Sequence, residues 1–228
     1  MTDAIAIDVW SDIACPWCYI GKRNLEKAIA ARGEDAPEVH VTFRSFELAP
    51  ETPVDFEGGE AEYLAAHKGV DAAAAQQMLD RVTGVAADAG LEYRFDLLHH
   101  TNTVKAHQLL HFAKERGRQH EMSERLMSAY FTEGRHLGRD DELAALAAEV
   151  GFDADEVRGA LGRETYLEAV RADQAQAAAY GVTGVPFFVI DGAYGVSGAQ
   201  PPEAFAQILA QVTQERAAGE AEPVGPPA

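Results

Sequence analysis

Ser11-Asp12-Ile13-Ala14-Cys15-Pro16-Trp17-Cys18-Tyr19-Ile20-Gly21 contains the only two cysteines of this 228-residue chain. Separated by two residues, their thiols can close a disulfide across one helical turn. Before them Ala4 to Trp10 is rich in β-formers and partly alternating, which reads as a strand; after them Cys18 to Ile29 reads as a helix. The dithiol therefore stands where a strand hands over to a helix. Proline is tolerated in the first turn of a helix, where its missing N–H would have no partner anyway, so Pro16 fits a helix starting at or beside Cys15. Cys15 then lies at the positive end of the helix dipole, which favours a thiolate. The expectation is an exposed, nucleophilic Cys15 and a shielded Cys18 that resolves a mixed disulfide.

The pair admits two other readings. A closed structural zinc site needs four ligands, and there is no second cysteine pair. His107 and His111 have helical i, i+4 spacing, but Gln108 stands where a metalloprotease helix carries Glu, so no metal site is expected. An inert structural disulfide would close a loop too short to constrain much of the unfolded chain.

Far along the chain, Gly181-Val182-Thr183-Gly184-Val185-Pro186-Phe187-Phe188-Val189-Ile190-Asp191-Gly192 places proline immediately before an apolar strand. Asp191-Gly192 then turns into a second short strand, Tyr194 to Ser197. A C-x-x-C opening the first helix, with Val-Pro before a late strand, resembles the thioredoxin fold. The resemblance implies that Pro186 is cis and packs against the cysteines; from the residues alone it could equally be an ordinary strand-starting proline. Within that fold the chain most resembles the DsbA-like thiol oxidoreductases of the FrnE type, relatives of the 2-hydroxychromene-2-carboxylate isomerases and kappa-class glutathione transferases. Phe43 to Leu48 and Asn102 to His107 add to the likeness, which covers nearly the whole chain. The kappa-class relatives carry serine at the first motif position and an Asp-Arg pair after the final hairpin, whereas here stand Cys15 and Ala199-Gln200.

The expected fold class is α/β: a thioredoxin fold with a large all-helical insertion between the second strand and the cis-Pro hairpin. Residues 1–50 supply β-α-β, the second strand being Val39 to Phe46. Residues 51–180 are the insertion, read as five to seven helices after an acidic loop from Glu47 to Glu60. Residues 181–216 supply β-β-α, and residues 217–228, rich in Gly, Glu and Pro, form a disordered tail. Hydrophobic content of 47% suits a sizeable core, and no apolar run is long enough to span a membrane. The start at Met1-Thr2-Asp3 has no basic or apolar leader, so a cytoplasmic protein is expected, where a dithiol is more often catalytic than structural. A net charge of −18 argues against nucleic acid and anionic membrane as partners.

The expected activity is a thiol:disulfide oxidoreductase or disulfide isomerase acting on protein or small-molecule thiols and disulfides, with the oligomeric state left open. Cys15, Cys18 and Pro186 are its catalytic residues, and Pro16, Trp17, Val185, Asn102 and His107 candidate substrate contacts. Asn102 reads more readily as a helix cap, and His107 as an interior histidine, than as substrate contacts. Asp8 resembles the buried aspartate of the thioredoxin Asp-Phe-Trp segment and is a candidate proton shuttle, though one extra residue separates Trp10 from Cys15 and Asp8 reads equally as a solvent-facing strand residue. Asp12, in the loop, is expected to be solvated and without a chemical role. Tyr63, Met78, Tyr93, Phe95, Phe112, Tyr130 and Phe131 read as core. No cofactor is expected beyond glutathione as a co-substrate. The alternatives are a glutathione-dependent isomerase or transferase, and a redox-responsive binding protein without turnover.

Overall fold

The computed structural model describes residues 4–33 and 35–219. The segment before the dithiol is strand β1 (Ile5–Ser11), and the segment after it is helix α1 (Pro16–Ala30), followed by β2 (Val39–Ser45). β3 (Phe187–Ile190) and β4 (Tyr194–Ser197) form the late hairpin, and α9 (Pro202–Ala218) follows. The sheet order is β2-β1-β3-β4, with β1 parallel to β2 and antiparallel to β3. This β-α-β plus β-β-α arrangement is the thioredoxin fold.

Alternation in β1 assigns its two faces. Ile5, Ile7 and Val9 point to one side, where with Phe188 and Ile190 they meet Leu25 and Ala28 of α1 and Phe205, Leu209 and Val212 of α9. Each such side chain contributes about 1.5–3 kcal/mol on burial, so this face holds the two helices on the sheet. Trp10 points to the other side and is fully buried, packing on Ala177 and Val182. Its indole N–H donates to the Asp173 carbonyl at 2.9 Å, satisfying the polar end of an otherwise apolar ring.

Seven helices stand between β2 and β3: α2 (Glu60–Lys68), α3 (Ala72–Ala89), α4 (Val104–Glu115), α5 (Gln119–Phe131), α6 (Asp140–Glu149), α7 (Ala154–Gly162) and α8 (Leu167–Ala179). Local chemistry sets their ends. Asp71 accepts the Ala74 N–H at 2.8 Å to start α3, and Gly90, at φ 84°, stops it in a conformation costly to residues with a Cβ. The insertion has its own core, built on Leu109, Phe112, Met122, Leu126, Tyr130 and Leu146, and that core is continuous with Cys15, Cys18, Tyr19 and Ile20 of the α1 region. The dithiol thus lies between two layers.

Asp173 on α8 fastens the insertion to the sheet. Its carboxylate accepts the Ser45 N–H at 2.9 Å and lies 3.1 Å from His111 Nε2, which also lies 3.2 Å from Ser45 Oγ. His111 is therefore an interior packing histidine. Glu47, expected at the start of an acidic loop, has a buried side chain that accepts from Arg171 at 2.5 Å and Gln174 at 2.7 Å. The tail also departs from expectation at its beginning: α9 runs on through Ala217 and Ala218 to Gly219 at φ 74°, because Leu209 and Val212 anchor the preceding turns. The rest of the expected disordered tail, residues 220–228, lies outside the described residues.

Candidate active site at the dithiol

Cys15 is the N-cap of α1, with extended backbone angles, and Pro16 occupies the first helical position. The Cys15 N–H donates to the Asp12 carbonyl at 3.2 Å, and the Cys18 N–H to the Cys15 carbonyl at 3.0 Å, which closes the turn that brings the sulfurs together. Both thiols are free. Burial pushes the Cys18 thiol well above its ordinary pKa, and the neighbouring Cys15 adds to the rise. Against this work the Ser11 hydroxyl and the Asp12 N–H, both of which favour the Cys18 thiolate.

Val185 and Pro186 face the dithiol from the other side. The peptide bond between them is cis, and the Cys15 thiol donates to the Val185 carbonyl at 3.6 Å. The Val185 N–H takes part in no backbone hydrogen bond among the described residues. Gly21 makes this closeness feasible, since a Cβ there would stand 3.0 Å from Pro186 Cγ and 3.2 Å from Phe188 Cζ. Tyr93 supports the loop from the insertion, donating its hydroxyl to the Pro16 carbonyl at 2.7 Å.

A cavity of about 600 Å³ opens over Cys15. Pro16 and Trp17 line it on one side, Leu48 and Thr52 on another, and Tyr63, Met78 and Phe95 from the insertion. Cys18 is not among its lining residues. Two expectations are corrected here. Cys15 is only 3% exposed, so it is reached through the cavity and not from open solvent, because the insertion roofs the start of α1. Tyr63, Met78 and Phe95 are wall and not deep core, whereas Tyr93, Phe112, Tyr130 and Phe131 are buried. Trp17 is 42% exposed beside the nucleophile, an apolar surface at the mouth of the cavity.

The remaining candidates fall in different places. Asp8 points to the Trp10 side of the sheet, where its carboxylate pairs with Arg44 at 2.7 Å and is a third exposed. Asn102 ties the start of α4 to the loop after β2, accepting the Val104 N–H at 2.9 Å and donating to the Pro50 carbonyl at 2.8 Å. That is an Asx turn one residue ahead of the N-cap, Thr103, and Asn102 does not line the cavity. His107 is fully buried, its Nε2 3.4 Å from Asp12 Oδ1. The expectation of a solvated Asp12 is overturned: the residue is 2% exposed, because the loop folds under the start of α4. Its carboxylate accepts the Leu48 N–H at 2.8 Å and the Ala14 N–H at 3.3 Å. Burial alone would raise this carboxyl, but His107, the Leu48 N–H and the Thr103 hydroxyl outweigh it and hold it below the usual carboxylate range. The one sequence signal for Asp12 is its place three residues before a helix N-cap, where Asp commonly binds a nearby backbone N–H.

On the outer side of α1, Lys22 is buried and pairs with Glu26 at 2.6 Å and with Glu124 of α5. Arg23 reaches Glu124 at 2.7 Å, and Tyr19 donates to it at 2.6 Å. These contacts outweigh burial and lower the Glu124 carboxyl to about 2. This network locks the helix carrying the dithiol to the insertion.

The DSBA-like thioredoxin domain family matches residues 6–210 of the chain. The uncharacterized protein YwbO of Bacillus subtilis (strain 168) is 31% identical over 217 residues, which span 93% of this chain and 99% of that protein. The crystal structure of a probable DsbA oxidoreductase from Streptomyces coelicolor is similar at a TM-score of 0.85 and 43% identity, covering 97% of this chain and 93% of that one. The cytosolic disulfide reductase DsbM from Pseudomonas aeruginosa, also solved with GSH, shares the fold at a TM-score of 0.64 and 18% identity, covering 92% of this chain and 98% of that one.

Proposed function

The chain belongs to the DSBA-like thioredoxin domain family, and from that premise we propose that it is a thiol:disulfide oxidoreductase working through a Cys15-linked mixed disulfide. The carrying observation is the division of the two sulfurs: Cys15 lines the cavity opposite Val185, and Cys18 is sealed behind it with a raised pKa. In the reducing direction the Cys15 thiolate attacks one sulfur of a substrate disulfide, and the other sulfur leaves as a thiolate that takes up a proton. Cys18 then loses its proton and attacks Cys15 Sγ. The Cys15–Cys18 bond forms, the second substrate thiolate leaves, and two electrons have passed from the dithiol to the substrate. The reverse sequence oxidises a substrate dithiol. Throughout, the free N–H of Val185 offers strand-like pairing to an extended substrate, and Trp17 an apolar contact.

The cavity fits a small disulfide or a single extended segment of chain. Glutathione is the first small thiol to try as co-substrate, and work in the cytoplasm, in the FrnE manner, belongs to the same reading. No helix among the described residues is long and apolar enough to cross a membrane. The test is catalysed reduction of insulin by dithiothreitol, with oxidised glutathione and scrambled ribonuclease in parallel. Acceleration that Cys15→Ser abolishes is the expected result. A folded protein that accelerates none of the three would instead be a redox-responsive binding protein.

A further inference from the structure

The cavity over Cys15 is lined by two carboxylates and by two side chains that carry a permanent positive charge, and these differ in how they are paired. Both carboxylates are committed. Asp12 accepts the Leu48 and Ala14 N–H groups and faces His107, and Glu60 of α2 lies 2.9 Å from His100 Nδ1. Lys68, at the end of α2, and Arg81 of α3 are exposed and line the cavity, so they stand at its mouth, and neither side chain makes an ion pair among the described residues. In a chain with a net charge of −18, this mouth carries positive charge that no carboxylate of the chain takes up. Much of the remaining wall is apolar or aromatic. Trp17, Leu48 and Met78 expose carbon beside the nucleophile. The rings of His67, Tyr63 and His100 stack in that order, the outer two tilted from Tyr63 by 15° and 25°. The Thr101 hydroxyl, another polar group of the wall, is already given to the Val54 carbonyl. A small ligand with a polar body would leave hydrogen-bonding groups unpaired against such a wall, which an apolar body would not.

We propose that the small-molecule substrates of this site are disulfides with an apolar, ring-bearing body and a carboxylate, the body lying on the wall of Trp17, Met78 and Tyr63 and the carboxylate meeting Lys68 and Arg81. The proposal rests on the oxidoreductase reading above. Cys15 Sγ bonds to one substrate sulfur, the substrate S–S bond breaks and the first thiolate leaves; Cys18 then displaces the second. Two electrons pass from the dithiol to the substrate, and the two protons of the cysteines end on the two thiols released. Arg81 offers a carboxylate paired N–H donors and Lys68 a point charge. The negative charge of the chain opposes the approach of an anion, and the two cations offset that opposition at the mouth of the cavity.

The experiment uses a matched pair of probes, dithiodibenzoate and its uncharged diamide, which share rings and disulfide and differ in charge. Reduced protein freed of reductant is mixed with each, and thiol release in the single turnover is followed by absorbance. Each rate is divided by that of mercaptoethanol with the same disulfide, which removes the difference in intrinsic reactivity. The parent is expected to favour the carboxylate by about fivefold to tenfold, the size of two exposed ion pairs, and the Lys68→Gln/Arg81→Gln double variant to lose that preference. Salt gives a second readout: added sodium chloride slows the carboxylate in the parent by screening the two cations, and does not slow it in the double variant. No preference in the parent, or one that survives the double substitution, would overturn the proposal. Should the double variant fail to fold, the single variants and the salt dependence of the parent carry the same comparison. Oxidised glutathione, run alongside, sets a carboxylate on a polar body against one on an apolar body, and a normalised rate equal to that of dithiodibenzoate would overturn the apolar half of the proposal. Absence of thiol release from every disulfide by the parent would count against the oxidoreductase reading, a failure distinct from that of the substrate class.

Discussion

Cys18→Ser is expected to accumulate mixed disulfides through Cys15 when mixed with oxidised glutathione or a disulfide-bonded protein, and Cys15→Ser to accumulate none. The asymmetry follows from where the sulfurs lie. Cys15 is at the helix N-cap on the cavity wall, where a substrate disulfide can approach in line past Trp17 and Val185. Cys18 has no such approach, and its thiol is pushed well above the ordinary range, so little of it is thiolate until a base acts on it. With Ser at position 18, the first exchange proceeds and the second cannot. With Ser at position 15, the remaining thiol is both protonated and enclosed. The trapped fraction, measured by intact mass and by peptide mapping, should differ between the variants by more than about tenfold, the thiolate being the reacting species. Equal trapping would mean that the two sulfurs are interchangeable.

The second large effect concerns acid stability. Glu124 on α5 holds three groups of α1, Tyr19, Lys22 and Arg23, and its carboxyl is lowered from 4.5 to about 2. A carboxyl with a depressed folded pKa contributes stability that is complete above its unfolded value and is lost as pH falls through the folded one. The window is therefore from about 4.5 down to about 2. At full strength this gap corresponds to about 3 kcal/mol. Since the Glu124 side chain is 36% exposed, solvent screening reduces the contribution to about 1–2 kcal/mol. Glu124→Gln should therefore be less stable than the parent at neutral pH by about that amount, and the difference should vanish toward the acid end. Lys22, 3% exposed, keeps Glu26 as a partner, which limits the loss. Urea unfolding at a series of pH values checks this, and parallel curves for parent and variant would contradict it.

How legible the molecule was in its sequence depended on the range of the interactions. β1, α1 and the late hairpin could be read because their signals are local: alternation in Ala4 to Trp10, Pro16 at the first helical position, and Asp191-Gly192, both at positive φ, turning the hairpin. The helical count of the insertion was readable from its glycine breaks, since residues such as Gly90 mark where a helix has to end. The burial of Asp12 is not legible in the sequence because it depends on α4, some 90 residues later in the chain, folding over the loop and bringing His107 to 3.4 Å. No local pattern announces a contact across that separation. The same holds for Cys15, whose position at a helix start implies exposure until the roof formed by α2 and α3 is added. Asp8 shows the converse, since its likeness to a known motif placed it by sequence position, while the pleat of β1 turns it away toward Arg44.

An equilibrium redox titration tests the central claim most directly. The protein is poised in buffers of reduced and oxidised glutathione, quenched in acid, and scored for the Cys15–Cys18 disulfide by mass. If the pair is a reversible catalytic dithiol, one two-electron transition appears, both cysteines enter the same disulfide, and each Cys→Ser variant loses the transition. A midpoint near about −270 mV would assign the protein as a reductant, and one near about −120 mV as an oxidant. A folded protein in which Cys15 forms only a persistent adduct with glutathione, and Cys18 stays a free thiol at every potential, would contradict the account.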